Sequence, residues 1–198
     1  MIRITLTSAA VFGATLLALA LPAAEEKEPA AKPDREEAKK AFEYLNKVRQ
    51  APGKFGKELG IDLGDVKPRR ALVWNDTLAK VAEEKALDMA KREYFDHVTP
   101  DGLGINIQIH EAGYKLPAAW VKDKKSNYFE SIAAGNATGV GAIRGLLVDE
   151  GDPNLGHRKQ LLGLTEFQAG FKDIGIGFAR SPKSKYRTYM SVVTARRR

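Results

Sequence analysis

Near its C-terminus the chain changes period. Ile174, Ile176 and Phe178 alternate with Gly175, Gly177 and Ala179, the two-residue repeat of a strand. SPKSK at 181–185 makes a turn. Tyr186 to Ala195, rich in Tyr, Thr and Val, supplies the return strand. Upstream, every clear periodicity is helical. Helices first and an antiparallel hairpin last imply an α+β layered fold.

Asp34 opens the first helix, with Glu37 placed three residues on as a capping-box partner. Ala41, Phe42, Leu45 and Val48 form its apolar face, and Pro52-Gly53 ends it. Residues 53–70 are Gly-rich and basic, and read as a loop with one short turn of structure. A second helix follows Trp74, capped by Asn75 or Asp76, with Leu78, Val81, Ala82, Ala86, Met89 and Ala90 as its buried stripe. A short helix is expected over Gly139–Val148, and another begins near Gly156-His157.

Within 198 residues, 43% of them hydrophobic, there is room for one well-buried domain and not two. No charge appears between Arg3 and Glu25, and the apolar run Val11–Leu21 ends in small residues, the pattern of a secretory signal over 1–24 with cleavage after Ala20 or Ala24. An uncleaved anchor is the competing reading, weakened by Thr5, Thr7, Ser8, Gly13, Thr15 and Pro22. Residues 25–36 then serve as a linker and 37–198 as the domain. Export places the protein in the cell envelope or outside it. With no cysteine, such a domain has no disulfide framework and holds by its core alone. The net charge of +7 draws it weakly to anionic polymers or headgroups. No nucleic-acid motif accompanies that charge, and membrane contact is limited to the signal segment and this weak attraction.

Three histidines occur. His97 and Asp101 flank the turn Thr99-Pro100-Asp101-Gly102, which should fold the carboxylate back toward the helix end that carries the imidazole. His157 stands at a helix start. Glu130, in YFESIAAG, lies in an apolar setting where a carboxylate needs a partner. His97, Asp101, Glu130 and His157 together offer two imidazoles and two carboxylates, an inventory that suits zinc or another divalent cation. Asp149, Glu150 and Asp152 could add a cation site, or form a solvated loop. His110 reads as a surface or packing residue.

In order, LNKVR (45–49), LVWNDTLAKVAEEKALDMA (72–90), YFDHVTPDG (94–102), FESIAAG (129–135), GHRKQLL (156–162) and IGIGFAR (174–180) resemble the bacterial branch of the CAP superfamily. That superfamily takes in cysteine-rich secretory proteins, antigen 5 and pathogenesis-related proteins, and is also called SCP-like. The resemblance implies an α-β-α sandwich with a small antiparallel sheet, and an open cleft carrying two histidines and two acids able to hold a divalent metal. By position these are His97, Asp101, Glu130 and His157. The family's Gly-Glu-Asn reads Phe129-Glu130-Ser131 here, and Asp101 is shorter than the usual Glu.

The leading functional reading is a secreted binding or interaction module for an extracellular or envelope ligand, whether polymer, lipid or protein, with its metal held without turnover. A metal-dependent hydrolase of an envelope polymer, with Glu130 or Asp101 as general base, is the alternative. It lacks an accompanying nucleophile: there is no cysteine, and no serine stands in a nucleophile elbow. Lipid or sterol binding through GYKLPAAWV (113–121) is a further one.

Overall fold

The computed structural model describes residues 30–196; the expected signal segment and residues 25–29 of the expected linker lie outside them. A sheet of order β1-β4-β5-β3, with β2 added in parallel to β4, divides two helical layers. Its strands are β1 (Lys32–Pro33), β2 (Val73–Trp74), β3 (Glu130–Ala134), β4 (Asp173–Arg180) and β5 (Thr188–Ala195). The remainder of the expected linker is structured, because β1 pairs antiparallel with the end of β4.

One face of the sheet carries Ile174, Ile176, Phe178, Met190 and Val192. These pack against α1 (Arg35–Gln50), α5 (Gly139–Val148) and α6 (Gly156–Leu162) in one continuous core. The other face is covered by α3 (Asp76–Arg92), whose stripe is buried as its periodicity predicts. The two glycines of β4 explain how close this layer lies. A Cβ at Gly175 would sit 2.1 Å from the backbone of Leu78 and Ala79, and one at Gly177 would sit 2.2 Å from Ala82 O. The alternation that marks a strand thus also marks where a helix rests on bare backbone.

Helix starts follow local chemistry. Asp34 accepts from Glu37 N at 3.1 Å and caps α1. The reciprocal half of the expected box is absent, because the Glu37 carboxylate turns to Gly139 N at 2.7 Å and joins α1 to α5. Asn75 caps α3. The expected loop at 53–70 is corrected: Pro52 takes the first position of α2 (Pro52–Leu59), where its missing N–H costs nothing, and Gly60 closes it in the left-handed region. α4 (Ile105–Glu111) and α7 (Glu166–Ala169) are short additions. The apolar residues of 113–121 serve the core, since Tyr114 and Leu116 are buried and Trp120 packs on Phe129 and Phe167.

Candidate functional site

β3 is an edge strand, and a cleft of about 450 Å³ opens there. Both helical layers reach it. From the α3 layer comes His97, on the loop after that helix. From the opposite layer comes His157, in the first turn of α6. Glu130 opens β3 between them, and Asn127, Tyr128, Asp152, Gln160 and Phe167 complete most of the wall.

The His97 side is built on two buried polar side chains, Glu130 and Lys85. The Glu130 side chain has no exposed surface. Its Oε2 lies 2.9 Å from His97 Nδ1, and its Oε1 accepts from Ser191 Oγ at 2.7 Å. Since an ionised carboxylate only accepts, the Nδ1 of His97 carries the proton in this contact. Beneath lies Lys85, 1% exposed. Its ammonium donates to Tyr94 Oη (3.1 Å), Asp96 O (2.7 Å) and His97 O (3.2 Å), and so ties down the loop that presents His97. Burial pushes the Lys85 pKa below its usual 10.5, against the opposing pull of Glu130, Asp88 and Asp96. Burial, with the hydrogen bond to Asp88, raises that of Tyr94. α3 ends at Glu93 with φ 55°, a left-handed cap that swings Tyr94 under the loop.

The His157 side is a reciprocal lock between two helices. Asp149, at the C-cap of α5 with φ 52°, is buried. Its Oδ1 lies 2.7 Å from His157 Nδ1, and its Oδ2 accepts from Arg158 N at 3.1 Å. In return the Arg158 guanidinium donates to Leu147 O (2.7 Å) and Val148 O (2.5 Å), the last carbonyls of α5. Asp152 takes Asn154 N and Gly156 N, both at 2.8 Å. These backbone bonds hold its carboxyl below the usual 3.8. Ligand atoms of Asp149, Asp152 and His157 lie within 4.8 Å of one another, close enough to hold an ion. Both carboxylates are nevertheless already engaged in capping α6.

Of the four residues the sequence nominates, His97, Glu130 and His157 line one cleft. Asp101 does not. Its turn forms, with Gly102 N on Thr99 O at 2.8 Å, and it does fold toward α3. There Arg92, in the last turn of that helix, takes the carboxylate in a salt bridge, and Asp101 remains two-thirds exposed (66%). The acid against the second histidine is Asp149, which bonds His157 Nδ1. Glu130 lines the cleft with both carboxylate oxygens already engaged, one against His97 Nδ1 and one accepting from Ser191 Oγ. Ser131, where the family pattern has Asn, turns to the other face and donates to Gln160 Oε1 at 3.0 Å, while Gln160 Nε2 holds Phe129 O and Thr194 Oγ1. The turn before β3 is stapled by Asn127, whose amide accepts from Phe129 N and Glu130 N and donates to Glu130 O.

Sequence reasoning missed Lys85 and Ser191. The only mark of Lys85 is its place on the apolar stripe between Ala82 and Ala86, where a solvent-facing lysine does not belong.

A model of the CAP cysteine-rich secretory protein family matches residues 42–194, and the chain belongs to that family. No curated protein matches it. Among solved structures, it is similar to an extracellular protein containing an SCP domain from Bacillus anthracis, with TM-score 0.54 and 22% identity over 82% of this chain. This chain spans 41% of that protein. An outer surface protein from Borrelia burgdorferi also gives TM-score 0.54, at 18% identity, over 85% of this chain and 99% of the other. Likenesses at such identity speak for the fold alone. Among the described residues, no helix is long and apolar enough to cross a membrane.

Proposed function

We propose that this is an exported binding module whose cleft holds a divalent cation, zinc foremost, between His97 and His157. One observation carries the reading. Each imidazole has its Nδ1 against a buried carboxylate, Glu130 for one and Asp149 for the other. That arrangement fixes the tautomer and leaves Nε2 as the ligand atom, as at histidine metal sites backed by carboxylates. His97 lines the same cleft as Asp152 and His157, whose ligand atoms lie within 4.8 Å of each other; two imidazoles and a carboxylate are a donor set that suits zinc with water completing its shell. Bound there, the ion would supply a Lewis-acidic point for an anionic or carbonyl group of an extracellular polymer, lipid or protein.

The chemistry of the wall favours binding over turnover. Its hydroxyl is that of Tyr128, a phenol and not an activated nucleophile. Tyr128, 46% exposed, and Phe167 give an organic ligand an aromatic side to lie on. Export is supported by the uncharged leader, and by the description of both structural neighbours as extracellular or outer-surface proteins.

Calorimetric zinc titration of the chelator-treated chain tests the site. One-to-one binding is expected, abolished in His97→Ala/His157→Ala. Glu130→Gln and Asp149→Asn should each weaken it roughly 10–100-fold, the usual cost of losing an orienting partner. Zinc affinity unchanged in the double histidine variant would sink the proposal. Zinc-dependent cleavage of an envelope polymer, lost in the same variant, would replace it with the hydrolase reading.

A further inference from the structure

A second concavity, of about 510 Å³ and sharing no residue with the cleft, lies between the end of α1, the segment Pro68–Ala71 and the start of β4. Arg49, Arg69, Arg70 and Lys172 line it, and no Asp or Glu does. Arg49 is 3% exposed. Its Nη1 donates to Leu161 O, but its Nε and that of Arg69 are buried without an acceptor among the described residues. The two residues are joined through their main chains, since Arg69 N donates to Arg49 O at 2.8 Å. Burial, and then repulsion from Arg69, push the Arg49 pKa down to about 10. Elsewhere in the fold Arg35, Arg92 and Arg180 each meet a carboxylate. Among the described residues, this cluster meets none.

A buried charge without a counter-charge, as at Arg49, is costly unless an anion completes it. Guanidinium forks match tetrahedral phosphate oxygens, and a lysine adds a point charge. We propose that this concavity binds a phosphate oxyanion, either free or as the phosphate of a lipid headgroup. The shared chemistry is a phosphate group seated against Arg49 and clasped by Arg69, Arg70 and Lys172.

The test uses the full chain at constant ionic strength set with chloride, so that general screening is held fixed. Inorganic phosphate is titrated calorimetrically, and vesicles of phosphatidylglycerol in phosphatidylcholine are compared with phosphatidylcholine alone. Arg69→Gln/Arg70→Gln removes two charges from the half-buried and exposed side chains of the site. Lys54→Gln/Lys57→Gln removes two from the exposed surface of α2, outside it. Saturable phosphate binding, weakened at least about tenfold in the arginine variant and unchanged in the lysine variant, is expected from the loss of charge-assisted hydrogen bonds. Phosphate should also raise the Tm of the wild type and not of the arginine variant, as ligand linkage requires. The same selectivity seen only with phosphatidylglycerol vesicles would assign the site to a headgroup. Absence of binding to both probes, or equal loss in the two variants, overturns the proposal.

Discussion

Lys85 is the residue on which the His97 half of the cleft depends. A buried ammonium with three oxygen partners is tolerable; those oxygens without it are left short of a donor. Lys85→Met keeps the side chain's length but removes the ammonium that acts on Glu130 through space, and it frees the carbonyls of Asp96 and His97. Urea denaturation should show a loss of about 2 kcal/mol, the scale of leaving buried hydrogen-bonding groups unpaired. The pH dependence has a definite sign. Because the folded-state pKa lies below 10.5, the unfolded chain binds more protons across the interval between the two values. Wild-type stability relative to Lys85→Met should therefore rise as pH is raised toward 10.5; a gap that narrows there would contradict the burial argument. At this scale the sequence was half legible. Histidines are rare in the chain and stand beside turn and helix-start signals, so two of the site's residues announced themselves. Asp101 misled because the turn chemistry that brings it back toward α3 does not reveal that Arg92 waits there. Lys85 stayed hidden because a lysine on an apolar stripe reads as one whose stem is buried and whose charge is in water.

Among the elements, legibility followed periodicity. α3, α5 and the β4–β5 pair were readable because each repeats its own spacing over several residues. α2 was lost to Pro52 and three glycines, although a proline is as good a helix start as a helix stop. β3 was unreadable: ESIAA has a charged residue and small side chains, and it is a strand only because β5 pairs with it from Glu130↔Val193 to Ala134↔Tyr189. Two measurements probe how elements are joined. Asp34 caps α1 and also bonds Arg180 on β4 at 2.7 Å. Burial would raise its carboxyl pKa, but the Arg180 bond, the Glu37 N–H and nearby charge outweigh it, and the pKa falls below 3.8. Its stabilisation is present above 3.8 and lost as pH drops through the folded value. Asp34→Ala should cost about 1 kcal/mol at neutral pH, and chemical denaturation should show that penalty vanish in acid. Gly177→Ala meets the α3 backbone at 2.2 Å, where no flexible side chain can give way. A loss of about 3 kcal/mol or more is expected from such overpacking, read as a fall in Tm, whereas Gly60→Ala, with nothing within 4 Å but φ +69°, should cost only about 1 kcal/mol.

For the whole molecule, the sheet with α3 on one face and α1, α5 and α6 on the other is the part that opens last. Hydrogen exchange should find its slowest amides in β4, β5 and the middle of α3, and fast ones across residues 121–127, which belong to neither helix nor strand. Slow exchange confined to α1 and α5, with β4 and β5 fast, would refute this order. The position of α3 on that sheet has a further consequence. Helix and sheet are usually spaced by side chains, which bend and repack. Here the gap over β4 is set by backbone against backbone, with two hydrogens between. That contact works as a hard stop in a measuring jig. His97 is gauged from the end of α3, and Glu130 through β5 from β4, so both are measured from one datum. A change that shims this gap by the width of a methyl group should register as misalignment at the cleft, though no residue of the cleft has been touched.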